Sequence, residues 1–457
     1  MIWLWIVAAW ILSFIALGKK KIRIEHYIWL LLPVDMYGIP VGGFTVKPYM
    51  IFCIFLLLRT LREQHWTLKL RSRWALASGV LVLLFVVVNM INNQSGGSLV
   101  SALLLPVVWL FGVVYVSRCN ERAAEEIPNA MLAAGIGFGI VFVVAYITML
   151  INPGLPHLLT YKRTVPGIIM EFRNMQDGML VRMGRLRGFS FDPNTVASTF
   201  FFASIVAVLR IVKRKAGIRE YLALILSAAC IFLSNSRTGM ICFCLLVVAC
   251  FVVGYNMADT ATRNRIKLLM LGLTAVLIVL CVTGVVPRWI STFLAQFENR
   301  SGLYDEYGRM SIWEEVIGIW LEEGAFLGIG FGQVQYYTEV GRGAHNTWLE
   351  LLCAGGILVG GTLLVYFCLL LYSALRYPLE NSAAKKSEFA WTMALGLLIV
   401  MISLFAVDHL MFSYLWFTAM VVSAITSGSL QVVTNDPPNE ERCRRLPKAN
   451  RLKRNPR

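Results

Sequence analysis

Charge is scarce in this chain. Asp, Glu, Lys and Arg make up 15% of its 457 residues, against about 25% in a soluble globule. That shortfall excludes an ordinary water-soluble domain. Acidic residues are the scarcer sign, 26 against 42 Lys and Arg. Histidine is rarer still, and His26, His65, His157, His345 and His409 form no HxxH or HExxH pair, so the usual zinc-hydrolase spacing is missing. No Asp-x-Asp accompanies the polar motifs described below. The cysteines (Cys53, Cys119, Cys230, Cys242, Cys244, Cys250, Cys281, Cys353, Cys368, Cys443) include no CxxC, and most lie inside apolar runs. They read as small packing residues, not as a disulfide set or a zinc site. The apolar runs are nearly free of Asp, Glu and Lys, which counts against the ion or proton relay of a transporter.

Apolar sequence is what the chain has in quantity, with 58% hydrophobic residues. Runs of about 17–25 such residues recur along its length, the signature of an all-α polytopic integral membrane protein. A β-barrel would show short alternating segments instead. The net charge of +16 follows from basic residues in short loops between apolar runs, as the positive-inside rule requires. Nucleic acid is not needed to explain it.

The first run, about 2–18, precedes Lys19, Lys20, Lys21 and Arg23. Its charge follows the apolar stretch and no small-residue cleavage site comes after, so it reads as a retained helix. Tyr27 to about Val46 is broken by Pro33, Gly38, Pro40, Gly42 and Gly43, and a short helix follows at about 48–61. A helix pair joined by a turn is expected here, with a broken or partly re-entrant element as the other reading. Further helices fit about 74–92, 99–117, 128–151, 193–211, 220–234, 239–256, 268–286, 346–374, 389–407 and 411–428. Placing the basic loops (19–25, 59–73, 118–127, 210–219, 263–267, 376–388) in the cytoplasm gives about 12–13 transmembrane helices. The resulting order is N-terminal helices over 1–152, an external basic loop at 153–190, and helices with an external Ser-Arg-Thr-Gly turn at 191–286. A long external loop at 287–345, C-terminal helices at 346–428 and a basic cytoplasmic tail at 429–457 complete it. The tail is expected to be disordered.

One external segment breaks the charge rule. Lys162, Arg163, Arg173, Arg182, Arg185 and Arg187 face only Glu171 and Asp177 there, whereas the second external loop is acid-rich. A guanidinium offers a planar fork of donors that matches phosphate oxygens. Asp192-Pro193-Asn194 then reads as a helix start. Ser236-Arg237-Thr238-Gly239 places Arg237 near membrane depth, where it either snorkels to the interface or joins an anion site. Arg309 and Trp313 stand four apart, on one helix face. A sugar ring on Trp313 beside a phosphate on Arg309 is physically sensible. Gly328, Gly330 and Gly332 read as a turn with close backbone passage. His345 sits beside Asn346 where the second loop re-enters the membrane, and imidazole suits a general base near neutral pH. Asp408-His409, at another external junction, has no assigned role.

Together these elements resemble the O-antigen ligase and O-antigen polymerase superfamily of bacterial polytopic membrane glycosyltransferases. The likeness rests on Arg187-Gly188 with Pro193-Asn194 and Ala197, on Ser236-Arg237-Thr238-Gly239, and on Gly308-Arg309 with Trp313. It continues through Gly328-x-Gly330-x-Gly332 and His345-Asn346 with Leu349 and Glu350, and spans roughly 185–375. The resemblance implies a metal-independent, cofactor-free, inverting transfer from an undecaprenyl-diphosphate-linked glycan donor to a glycan or lipid-linked acceptor. The site would face outward from the bacterial cytoplasmic membrane, and a chain-length regulator is a possible partner. Arg187 and Arg309 would hold the diphosphate, Arg237 would assist, and His345 would orient or deprotonate the acceptor hydroxyl. Trp313 and Asn346 join the expected substrate contacts, with Arg185, Arg182 and Asn194 as secondary candidates. A repeat-unit polymerase for capsule, exopolysaccharide or O-antigen is favoured over a ligase acting on lipid A core, and a flippase ranks last.

Overall fold

A computed structural model describes residues 2–41, 44–63, 72–92, 96–151, 167–174, 180–190, 192–258, 260–284, 309–339, 341–407 and 409–430. Lys162, Arg163, Asp408, the whole 285–308 stretch with Gly308, and the tail from 431 lie outside these residues, and Arg173 and Arg182 are placed by backbone only. The helices are α1 (Ile2–Leu17), α2 (Ile28–Leu31), α3 (Pro48–Glu63), α4 (Arg73–Asn92), α5 (Gly96–Arg118) and α6 (Ala123–Ile151). After them come α7 (Pro193–Val212), α8 (Ile218–Leu233), α9 (Arg237–Met257), α10 (Thr260–Val282), α11 (Arg309–Glu323) and α12 (Val334–Tyr337). The last are α13 (Thr347–Gly355), α14 (Thr362–Glu380), α15 (Ser382–Lys385), α16 (Glu388–Ser403) and α17 (Ser413–Thr426). Two hairpins, β1 (Ile39–Val41) with β2 (Phe44–Val46) and β3 (Gly167–Asn174) with β4 (Leu180–Gly188), are antiparallel.

The polytopic helical class holds. Among the described residues, seven helical segments are long and apolar enough to cross a bilayer, and Ile2–Leu17 and Ser413–Thr426 are shorter apolar helices. α7 sits at the centre. Nearly all its residues are buried, as expected of a helix apolar all round. Phe202 on α7 stacks on Tyr414 of α17 at 5.5 Å and packs on Trp29, which donates its indole N–H to Tyr115 of α5 at 2.8 Å.

The two ends of the bundle differ chemically. At one end, Arg210 is held by Glu388 (2.8 Å), Glu220 (3.0 Å) and Asn129 (3.1 Å), and Arg118 pairs with Glu63. Arg23 N–H bonds Glu126 at 2.7 Å, and Lys213 donates to the Lys386 carbonyl at 2.6 Å. The basic short loops described here thus gather at this end. The arginine strand, the Ser-Arg-Thr-Gly turn and the His345 junction lie at the other.

Three expectations change. The stretch from Tyr27 to Val46 is not the first member of a helix pair. It holds a short 3-10 turn (Ile24–Tyr27), the four-residue α2 and the first hairpin. Pro33 lacks the N–H that would continue α2, although Leu32 before it still has helical φ and ψ, and Pro40 lies in β1; the broken-element reading is the better one. The basic loop carries a β-hairpin. The helix expected at 346–374 runs from Thr347 to Glu380 but breaks at Gly356, where φ is +59° and a π segment covers Gly356–Gly361.

Candidate active site

The arginine strand ends in a specific irregularity. Ile168 pairs with Leu186 and Gly167 with Gly188, so Arg187 is the extra residue of a bulge. Bulges re-aim side chains and occur beside active sites. Gly188 follows with φ +60°, and a Cβ there would stand 2.5 Å from the Phe142 ring. Only glycine fits both demands. The Arg187 Nε is buried and has no hydrogen-bond partner among the described residues. Leaving such a donor unpaired costs about 1–3 kcal/mol, which an anion would offset.

One bond ties this strand to the Ser-Arg-Thr-Gly turn and a second ties the start of α7 to it: Arg185 Nε donates to the Ser234 carbonyl at 3.2 Å, and Ser236 Oγ donates to Asn194 Oδ1 at 2.6 Å. Asp192 caps α7 by accepting from Asn194 N–H at 2.7 Å. Ser236 caps α9 through Gly239 N–H at 2.9 Å, leaving Arg237 half-buried as the first helical residue. Arg185, Arg187, Asn194 and Arg237 therefore form one neighbourhood. Arg182 belongs to the same strand by backbone.

The second neighbourhood surrounds His345. Trp313 Nε1 donates to the Ala344 carbonyl at 2.9 Å, fixing α11 against the residue before the histidine. His345 is exposed and has φ +48°, a left-handed conformation unusual outside glycine. Asn346 is buried, and its Oδ1 caps α13 by accepting from Trp348 N–H (3.0 Å) and Leu349 N–H (3.3 Å). Glu350 accepts from Gly332 N–H at 3.0 Å, which anchors the glycine loop to the same helix. Gly328 has φ +78°, and a Cβ there would lie 2.6 Å from the Ala354 and Cys353 backbone. The three-glycine turn is thus wedged against the break between α13 and α14. Arg309 opens α11 one turn before Trp313 and is exposed.

Segments that the sequence reading left without a role join the two neighbourhoods. Met36 N–H donates to the Phe189 carbonyl at 3.0 Å, and Tyr37 packs edge-on to Phe189 at 6.1 Å. Next to them, Asp35 accepts from Lys47 Nζ at 2.6 Å and lies 2.8 Å from His409 Nε2. His409 N–H donates to Thr347 Oγ1 at 3.0 Å, and Thr347 donates to the Val407 carbonyl. Burial would raise the Asp35 carboxyl, but Lys47 and His409, by charge and hydrogen bond, hold it well below the usual carboxylate range. Asp35, Lys47 and Thr347 went unnoticed in the sequence because nothing local distinguishes them. The hairpin did carry a signal: Asp177-Gly178 between apolar runs, a recognised hairpin turn pair. Among the described residues, no group of three His, Cys, Asp or Glu is placed to share a metal ion.

These features define a polytopic helical membrane protein with an arginine- and histidine-bearing polar site at one end of its bundle. Residues 222–365 match the family described as O-antigen ligase. The chain is thus similar to membrane glycosyltransferases of O-antigen ligase and polymerase type over the stretch that contains Arg237, Arg309, Trp313, His345, Asn346 and Glu350. The strand with Arg182, Arg185 and Arg187 precedes the matched stretch. No curated protein matches the chain.

Proposed function

We propose that the protein transfers or polymerises an undecaprenyl-diphosphate-linked oligosaccharide at the outer face of the bacterial cytoplasmic membrane. The observation that carries this reading is the buried Arg187 Nε on a bulge, without a hydrogen-bond partner among the described residues, in a strand bonded to the turn that presents Arg237. A guanidinium so placed in an apolar bundle is suited to a diphosphate.

In this reading His345 takes the proton from an acceptor sugar hydroxyl. The hydroxyl oxygen attacks the anomeric carbon from the side opposite the diphosphate, and the new glycosidic C–O bond forms as the carbon–phosphate-oxygen bond breaks. The electron pair leaves with the diphosphate, whose growing charge meets Arg187, Arg309 and Arg237. No metal or cofactor enters this scheme. Trp313 braces the His345 junction and offers a ring face to a sugar. Asn346 holds the helix start through its cap.

Repeat-unit polymerase remains the favoured activity. The match to the family described as O-antigen ligase supports the second reading, transfer to lipid A core. The test is purified protein in liposomes with an undecaprenyl-diphosphate-linked oligosaccharide, with and without a lipid A core acceptor. A ladder of products from donor alone indicates polymerase, and a single shift of the core indicates ligase. Unchanged donor in both arms, or a strict need for added Mg²⁺, would defeat the mechanism.

A further inference from the structure

Asp35 occupies an unusual position between the two neighbourhoods. It is 3% exposed, and one carboxylate serves two nitrogen partners, Lys47 on Oδ1 and His409 on Oδ2. Lys47 leads directly from β2 into α3. On one side, the next residue, Met36, bonds the Phe189 carbonyl, two residues beyond Arg187. On the other, His409 reaches Thr347 Oγ1, two residues beyond His345. Thr347 is fully buried and also bonds the Val407 carbonyl. A single connected path therefore runs from the end of the arginine strand to the start of the histidine helix. Apolar packing alone does not fix such a spacing to a fraction of an ångström, whereas directed bonds in a low-dielectric setting do.

We propose that Asp35 is a positioning residue: through His409 and Thr347 on one side and the Met36–Phe189 contact on the other, it sets the distance between His345 and Arg187. The proposal rests on the reading of the site given under Proposed function. It adds that residues far from the matched 222–365 stretch complete the geometry. Asp35 touches neither donor nor acceptor in this account. Its effect is on alignment, so it belongs to the chemical step more than to donor capture.

The test uses the full-length protein in nanodiscs, with Asp35→Asn, His409→Gln, Thr347→Val and Thr347→Ser. Thr347→Val removes the hydroxyl at nearly constant shape, and Thr347→Ser keeps it. Two readouts are taken. In the transfer assay, Asp35→Asn and Thr347→Val are expected to lower kcat on the order of 100-fold, the scale of a misaligned reacting pair. KM for the lipid-linked donor should stay within about twofold of wild type, as expected when only transition-state alignment is lost, and Thr347→Ser should restore kcat. In hydrogen exchange, Asp35→Asn should speed exchange in both 187–190 and 345–349, and Thr347→Val in 345–349 alone.

Wild-type kcat in Asp35→Asn, or a loss equal in Thr347→Ser and Thr347→Val, would overturn the proposal. A wild-type protein that transfers no glycan overturns the functional reading instead. Exchange then still decides whether Asp35 couples the two segments, and unchanged exchange in both refutes that coupling. Should Asp35→Asn fail to accumulate in the membrane, His409→Gln takes its place. It is expected to speed exchange at 345–349, and exchange there at the wild-type rate counts against the path.

Discussion

At the scale of single residues, Arg187 and Gly188 do different work side by side. The arginine presents a buried Nε that has no hydrogen-bond partner among the described residues, and the glycine supplies the positive φ and the space against Phe142. Arg187→Ala is expected to leave the fold intact and to lower transfer about 100-fold or more, the usual effect of removing a charge-stabilising donor. Product yield against thermal unfolding midpoint checks both halves. Gly188→Ala should act oppositely, losing about 2–4 kcal/mol through strain and overpacking. A Gly188→Ala protein that melts with wild type would show that the Phe142 contact yields. Asp35 gives a pH prediction. Its folded carboxyl lies below its ordinary value of 3.8, so the stability it contributes is present above that value and fades as pH falls through and below it. The gap in thermal midpoint between wild type and Asp35→Asn should be narrower at about pH 3 than at about pH 5. A gap that widens in acid contradicts this.

At the scale of elements, periodicity and apolar length made the long helices readable. Arg73–Asn92, Pro193–Val212 and Arg237–Met257 fall within two residues of their expected bounds, since lipid leaves helix as the only way to satisfy such backbone. Shorter features were less legible. The β3–β4 hairpin is hard to see in the sequence because its basic residues mask the alternation. The break at Gly356 is invisible in an apolar run. It exists because the Gly328 turn presses on the Cys353 and Ala354 backbone, and a Cβ at Gly356 would stand 2.2 Å from the Phe326 carbonyl oxygen. Gly328→Ala should therefore displace the Glu350–Gly332 bond and lower transfer at least tenfold, a deficit of about 1.4 kcal/mol or more in barrier. Faster hydrogen exchange at 328–334 in that variant would locate the change, and wild-type exchange and activity would refute it.

At the scale of the whole molecule, the bundle separates two kinds of polar chemistry. Paired charges such as Arg210 with Glu220 and Glu388 occupy one end, and the arginine strand with the His345 junction occupies the other. By the positive-inside rule the first end is expected in the cytoplasm. A cysteine at exposed Arg342 (Arg342→Cys) should react with a membrane-impermeant maleimide added outside intact cells. One at exposed Lys385 (Lys385→Cys) should react only after permeabilisation. Labelling of both from the same side would break the topology and the site with it.

The sequence alone settled the helical membrane class and placed the long apolar helices, because apolar length and charge placement are local properties that lipid enforces. It also pointed to Arg187, Arg237, Arg309 and His345 one at a time. Tertiary structure decided the rest: the bulge at Arg187, the strained φ of His345, and the contact path through Met36, Asp35, His409 and Thr347. These depend on partners hundreds of positions apart, Asp35 with His409 for one. Burial makes such a bond strong, and only the packed bundle brings its two ends together.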